Sequence, residues 1–137
     1  MDFGTINTSE DSNRGSTYHV IDPYTEEPAY VKVGKATEAV AVSITLLGPD
    51  SDKVRRFQTE MVRASIKKRK TALDPEDLER RMIRQIANAI MSWEGIVENG
   101  EPMECTAENA LELLTKHTWL REQLAGFQQD RANFSKK

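Results

Sequence analysis

The chain has 137 residues, of which 38% are hydrophobic and 30% are charged, and its formal net charge is −3. This composition suits one soluble domain with a hydrophobic core. No apolar run approaches the roughly 20 residues that span a bilayer, and the first residues lack the basic and apolar regions of a signal peptide. A single cysteine, Cys105, excludes an internal disulfide framework and makes a reducing, intracellular location the default.

The N-terminal part of the chain predicts a small sheet. The first 16 residues are rich in Ser, Thr, Asn, Asp and Gly, which predicts a flexible arm. Alternating apolar residues on both sides of the proline-containing turn at 22–28 predict a β-hairpin over 17–33. The β-branched run 39–47 predicts a third strand. Such a sheet is antiparallel and needs helices to cover its apolar face.

A basic helix is predicted after this sheet. Residues 50–52 are capping residues, and a helix begins there. Its inward stripe is Val54, Phe57, Met61 and Ala64 or Ser65. The cations lie mostly off this stripe, and they include Arg55, Arg56, Arg63, Lys67 and Lys68. Because cations are favourable near a helix C-terminus, part of this cluster has a local explanation.

The clearest helical pattern in the sequence runs from Leu73 to Val97. Asp74 can cap its N-terminus, and Pro75 suits the first helical position. Apolar residues then recur at helical spacing as Leu78, Met82, Ile86, Ala89 (with Ile90) and Trp93. Gly95 and Gly100 end the pattern. We interpret this helix as the frame of the domain, with Trp93 in the core.

Two shorter helices are predicted after a turn at 98–102. Thr106 caps the first, which contains Asn109 and extends to Lys116. Thr118 is predicted to cap the second, whose apolar residues are Trp119, Leu120, Leu124 and Phe127, with Phe134 beyond. Trp119 lies near a helix end, so a buried side chain and an interface side chain both remain open.

These patterns predict an α+β fold, in which a small N-terminal antiparallel β element (hairpin plus third strand) precedes about four α-helices. The predicted domain covers 17–134 and is mainly helical from residue 50. A flexible arm (1–16) precedes it, and a short tail (135–137) follows it.

Residue patterns typical of catalysis are absent from the sequence. The two histidines, His19 and His117, share no local spacing, and there is no Cys-x-x-Cys, so no metal site is predicted. Paired carboxylates fall at turns and first helical turns, where capping explains them. The glycines lack phosphate-binding spacing. We interpret Cys105 as an incidental thiol, and we expect a protein that is not an enzyme and needs no cofactor.

The charges are unevenly distributed along the chain. Residues 1–52 carry nine acids and three bases, residues 53–70 carry one acid and eight bases, and residues 71–137 carry twelve acids and eight bases. The basic run 63–70 could be a solvated helix end, a contact with an acidic protein surface (another copy included) or a nucleic-acid contact. One short helix releases few counterions, which disfavours nucleic acid.

A series of short segments appears in a recognisable order from residue 90 onward. The segments are Ile90-Met91-Ser92-Trp93-Glu94-Gly95-Ile96, Asn99-Gly100-Glu101-Pro102, Thr106-Ala107-Glu108-Asn109-Ala110-Leu111-Glu112-Leu113-Leu114, Trp119-Leu120-Arg121-Glu122-Gln123-Leu124 and Asp130-Arg131-Ala132-Asn133-Phe134. Upstream, 44–51 supplies a strand, a glycine and a helix cap. Over roughly 28–134 this order resembles the tail assembly chaperones of long-tailed (siphovirus) bacteriophages.

The resemblance implies a non-enzymatic role. Such proteins coat the tape-measure protein in the host cytoplasm, recruit tail-tube subunits, and are absent from the mature virion. They can self-assemble into spiral or extended multimers. Many have a longer form made by a programmed ribosomal frameshift; this chain would be the short form, and the codons of Lys136 and Lys137 could form a slippery run.

The partners implied are therefore the tape-measure protein, the tail-tube protein, the longer form and further copies of the chain, with no membrane. Leu111, Trp119, Leu120 and Phe127 are candidates for the client or self-contact, and the alternative is that all four are core. Contact of the basic 53–70 segment with the acidic surface of the next copy would suit head-to-tail stacking. A DNA-binding or regulatory adaptor and a structural minor tail component remain alternatives.

Overall fold

The computed structural model describes residues 1–33, 35, 38–67 and 74–135. The helices and strands of this part are, in order, α1 (Thr8–Arg14), β1 (Ser16–His19), β2 (Tyr30–Val31), β3 (Val40–Ala41), β4 (Ser43–Leu46), α2 (Asp52–Lys67), α3 (Pro75–Ala89), β5 (Ile90–Glu94), β6 (Val97–Glu98), β7 (Glu101–Pro102), α4 (Ala107–Lys116) and α5 (Thr118–Gln129). The predicted α+β class is confirmed. No helix in the described ranges is long and apolar enough to cross a membrane.

A three-stranded antiparallel sheet lies at the centre of the fold, in the order β1-β4-β5. Ile44 and Leu46 of the central strand are fully buried, because alternate residues of a strand point to the same face. The helices cover this face with apolar side chains, among them Val54, Ile83, Ile86, Leu113, Leu114, Leu120 and Leu124.

The predicted hairpin over 17–33 is confirmed near its turn, where the Ala29 N–H donates to the Val20 carbonyl and the Asp22 N–H donates to the Glu27 carbonyl, both at 2.9 Å. Its outer strands pair elsewhere. β1 pairs with β4, and the short strand β2 pairs with β3. The chain does turn back at 22–28, where an isolated bridge joins Ile21 to Pro28. The predicted strand at 39–47 is present as β3 and β4. Pairing with β4 prevails for β1 because β4 carries the most buried side chains of the sheet.

The helix predicted to reach Val97 ends at Ala89 instead. The following residues form β5, an edge strand that pairs antiparallel to β4. Trp93 is therefore a strand residue opposite Ile44, and its indole Nε1 donates a hydrogen bond to the Met103 carbonyl at 2.8 Å. It packs against the core while remaining partly exposed. The segment fits both helical and strand spacing, and the pairing with β4 decides between them.

The start of α3 agrees with the prediction. Asp74 is its N-cap, with a carboxylate that accepts a backbone N–H of the first turn at 3.0 Å, and Pro75 occupies the first helical position. The predicted inward stripe is only partly buried, since Leu78 and Met82 are 47% and 49% exposed. The buried residues lie in the second half of the helix: Ile83, Ile86 and Ala89.

The predicted flexible arm contains a helix. Asn7 caps α1 through its side chain, and Ser12 is buried. The Ser12 hydroxyl accepts a hydrogen bond from the Asp50 backbone N–H at 3.1 Å, and its carbonyl accepts one from the Gly48 N–H at 3.0 Å. Because α1 docks through polar and backbone groups, a prediction from composition missed it.

The predicted basic helix is present as α2. The Ser51 hydroxyl accepts a hydrogen bond from the Val54 N–H at 3.1 Å and so caps its start. Val54 is buried, and Phe57 and Met61 are half-buried, which confirms the first part of the predicted stripe. The alternative stripe residue Ala64 is exposed.

The C-terminal helices are close to their predicted bounds. Thr106 caps α4 by accepting the Asn109 N–H at 3.1 Å, and the Asn109 amide also donates to the Glu104 carbonyl at 2.8 Å. Asn99 and Gly100, with φ values of 53° and 82°, form the turn between β6 and β7, as Asn-Gly does in type I′ hairpins.

The end of the chain folds back on the start of α2. Thr118 does not cap α5, since the N-cap is His117 and no side chain bonds there. A 3-10 turn at Arg131–Phe134 follows α5 and buries Phe134. Arg131 donates two hydrogen bonds to the Asp50 carboxylate, at 2.6 and 3.0 Å. These bonds hold the pKa of Asp50 below its usual range.

Candidate interaction surfaces

An apolar groove of about 470 Å³ lies between the turn at 22–29 and the junction of α4 with α5. The rim includes Tyr24, which is 95% exposed. The apolar lining combines strand and helix residues, namely Val20, Val31, Val42, Ile96, Val97, Leu113 and Leu120, with Trp119 beside them. We call this feature the apolar groove.

Two of the predicted contact residues line the apolar groove. Trp119 is half-buried there, and its ring centroid lies 6.0 Å from that of His117. Leu120 is only 3% exposed and belongs to the core as well as to the groove. The structure therefore leaves Trp119 free to contact a partner and makes Leu120 mainly structural.

The other two predicted contact residues lie elsewhere. The ring centroid of Phe127 lies 5.0 Å from that of Tyr18 and 5.5 Å from that of Phe134, and it does not line the groove. Leu111 is 38% exposed and lines a different cavity. The sequence thus grouped four apolar residues that the fold divides among the groove, the core and a second surface.

A half-buried amide, which the sequence did not single out, joins α5 to the strand end beside the groove. The Gln123 side chain donates to the Ile21 carbonyl at 2.8 Å and accepts from the Ile21 N–H at 3.0 Å. The Tyr18 hydroxyl also donates to its oxygen at 2.8 Å. Burial raises the pKa of Tyr18, so this hydroxyl keeps its proton. These bonds fix α5 against the chain at 18–21.

Gly95 supports the opposite wall of the apolar groove. Its φ is 77°, a left-handed conformation that side-chain-bearing residues rarely adopt. A Cβ added there would lie 2.9 Å from the Ala41 carbonyl oxygen. Gly95 was predicted to end a helix, and it instead turns the chain from β5 into β6.

The predicted basic contact lies on the exposed side of α2. Arg63 and Lys67 are exposed, and within the described ranges neither makes an ion pair or a hydrogen bond. Lys68, the third predicted cation, lies outside the described residues, as do Lys136 and Lys137 of the predicted tail. The described part of the basic run is therefore free for a partner.

Beside these cations lies an apolar surface that the sequence analysis missed. Four aliphatic side chains are exposed there, at 56%, 71%, 47% and 49%: Val62, Ile66, Leu78 and Met82. We call these four residues the far-end patch. The signal was available in part, since each pair has the i, i+4 spacing of one helix face.

The antiparallel packing of α2 and α3 places the two pairs of the patch side by side. Val54 of α2 and Ile86 of α3 line one small cavity near the start of α2. Near its end, the Arg81 guanidinium donates a hydrogen bond to the Ser65 hydroxyl. The helices therefore run in opposite directions, and the patch extends from Met82, which also lines that cavity, toward the end of α2 and the start of α3.

A second cavity of about 310 Å³ lies between α2, β5 and α4. Leu111, Met91 and Cys105 line it, together with Asn88, whose amide nitrogen is buried without a hydrogen-bond partner. Burial raises the pKa of the Cys105 thiol, so it remains protonated at neutral pH.

The described residues form no metal site beside these surfaces. Among the residues that the structure describes, no group of three or more His, Cys, Asp and Glu could hold a metal ion. The His19 imidazole is engaged with the Ala29 carbonyl, 2.9 Å from its Nε2.

No protein-family model, curated protein or solved structure matches the chain.

Proposed function

We propose that this protein is a tail assembly chaperone of a long-tailed bacteriophage, which covers the tape-measure protein in the host cytoplasm while tail-tube subunits assemble. The order of the segments between residues 90 and 134 supports the proposal through their resemblance to that family. The structural observation that carries it is the apolar groove beside Trp119. Large open apolar surfaces are uncommon on monomeric domains and typically mark interaction sites. The groove fits a client with exposed apolar side chains.

The shape of the groove suits a helical client. About 470 Å³ holds a few apolar side chains of an amphipathic helix rather than a whole helix. Trp119 supplies a large rigid apolar face, of the kind that dominates protein interfaces. Each contact of this kind is weak, and several copies along one client would add their affinities through avidity. Such a coat is dismantled easily, as a transient assembly factor requires.

A co-expression experiment tests the groove. The tape-measure protein of the same phage is produced with this chain or its variants, and the soluble client and the copurified chain are quantified. The wild-type chain keeps the client soluble. Trp119→Ala combined with Tyr24→Ser lowers client retention at least about tenfold, the loss expected for an interface anchor.

Phe127→Ala is the matched control for this experiment. It also removes an aromatic ring from α5, but this ring packs on Tyr18 and Phe134 and does not line the groove. Thermal melts show whether both variants remain folded. Equal client loss in folded Phe127→Ala would contradict the groove assignment. Retention on duplex DNA that falls steeply with salt would favour the adaptor instead, and detection of the chain in purified virions would favour a structural component.

A further inference from the structure

The first six residues carry large apolar side chains that the fold leaves exposed. Met1, Phe3 and Ile6 are 99%, 78% and 48% exposed, and the 3-10 turn Phe3–Thr5 buries none of its residues. We call these three side chains the N-terminal knob. The turn is ordered by the Asp2 carboxylate, which accepts the Gly4 N–H at 2.8 Å, so the knob is presented on structured backbone.

The N-terminal knob and the far-end patch lie at opposite ends of α2. The knob precedes α1, and α1 is fastened to the start of α2 by a hydrogen bond from the Asp52 N–H to Asn13 at 2.8 Å. Ile66 of the patch lies fourteen residues beyond Asp52, which corresponds to about 21 Å of helix. One copy therefore has an exposed apolar surface near each end of α2, with the N-terminal knob at the start and the far-end patch toward the end.

Beside Val62 and Ile66, the described cations of α2 are opposite in charge to the acidic side chains of residues 1–13. The α3 side of the patch is mixed, with Glu76, Asp77 and Glu79 as well as Arg80 and Arg81. Residues 1–13 contain three acids (Asp2, Glu10 and Asp11) and no base. Arg63 and Lys67 flank the far-end patch, exposed and free of ion pairs within the described ranges. Complementary charges of this kind select partner and orientation and raise the association rate.

We propose that the N-terminal knob of one copy docks on the far-end patch of a second copy. Phe3 and Ile6 cover Val62 and Ile66 in this contact, and Asp2 approaches the cations of α2. The contact is heterologous, so each added copy presents a new free patch and the copies add head to tail. The proposal deepens the self-association within the proposed function and rests on it, while its test needs this chain alone.

Sedimentation velocity over a range of protein concentrations measures the contact. The wild-type mass rises beyond two copies, and high salt weakens the association by screening its charges. Phe3→Ser removes the aromatic side chain of the knob, and Ile66→Ser removes the most exposed side chain of the patch. Each variant raises the concentration for half-assembly at least about tenfold, because a buried apolar anchor is lost. Both side chains are exposed in the single copy, so both variants fold.

Tyr30→Ser is the matched control, since it removes a ring that is 63% exposed and lies outside the knob, the patch and the apolar groove. It leaves self-association unchanged. An equimolar mixture of Phe3→Ser and Ile66→Ser is the sharpest arm, because each variant keeps the surface that the other has lost. The mixture forms one-to-one dimers and stops there.

Three results would overturn this contact: a wild-type chain that stays monomeric, a mixture that forms no dimers, or loss of assembly in Ile66→Ser but not in Phe3→Ser. The last result would indicate a patch docked on a patch. A monomeric chain that still retains its client overturns the docking contact alone. An assembling chain that retains no client overturns the proposed function alone.

Discussion

The two halves of α3 both carry apolar residues at helical spacing, but their surroundings differ. In the second half Ile83, Ile86 and Ala89 are at most 5% exposed, beneath the sheet and the C-terminal helices. In the first half Leu78 and Met82 are about half exposed, beside Val62 and Ile66 of α2, which are 56% and 71% exposed. Spacing therefore identifies the apolar face of a helix, and only the fold shows how much of that face the chain covers itself.

The largest loss of folding stability is expected from a substitution in the second half of α3, where the apolar side chains are buried. Ile86→Ala removes a side chain that is 4% exposed and leaves a cavity. We expect the free energy of unfolding to fall by about 2–5 kcal/mol, measured by urea denaturation with circular dichroism. A loss below about 1 kcal/mol would mean that this half is no better covered than the first.

A second test concerns Gly95, which turns the chain from β5 into β6 after the buried half of α3. Gly95→Ala must keep a φ of 77° and bring a Cβ to 2.9 Å from the Ala41 oxygen. We expect a destabilisation of about 1–3 kcal/mol. Gly100→Ala is the comparison, since its φ is 82° and a Cβ there meets nothing within 4 Å. Both variants share the φ cost, so a larger loss at Gly95 isolates the contact with the backbone of residue 41, and an equal loss would remove it.

The stability of the first, exposed half of α3 depends more on its N-cap than on buried apolar side chains. Asp74→Ala removes the carboxylate that accepts a first-turn N–H, and we expect a loss of about 1 kcal/mol. Asp74→Ser restores a capping oxygen and most of the stability. The thermal unfolding midpoints of the two variants provide the comparison, and an equal loss in both would show that the cap hydrogen bond is not the cause.

The smallest effect on folding is expected at the far-end patch. Met82→Ser replaces a half-exposed side chain, and we expect a stability change within about 0.5 kcal/mol. The same variant weakens self-association in sedimentation velocity, because Met82 belongs to the patch. A stability loss comparable to that of Ile86→Ala would show that the chain does cover this half.

Local signals predicted the elements that depend on local chemistry. Capping residues located the starts of α3 and α4 at Asp74 and Thr106, and the β-branched run located β4. The end of α3 could not be predicted, since Ile90–Glu94 satisfies both periods and its strand form depends on pairing with β4. Likewise α1 is held by hydrogen bonds that Ser12 accepts from the backbone N–H groups of the distant residues Gly48 and Asp50.

The candidate site was predictable only as a set of residue types. In the sequence, Trp119 and Phe127 are both aromatic residues of one amphipathic helix and cannot be told apart. The docking of α5 places Trp119 at the groove and packs Phe127 against Tyr18. Arg63 and Lys67 lie on α2 as predicted, and Lys68 lies outside the described residues. The far-end patch requires the antiparallel packing of α2 on α3, which residue spacing within either helix does not show.

The most direct test of the account is the number of copies bound along one client. Native mass spectrometry of complexes purified after co-expression would count chains on the full-length tape-measure protein and on versions shortened internally. A coat predicts a copy number that falls in proportion to client length. A single copy, or a number independent of length, would contradict the proposed function.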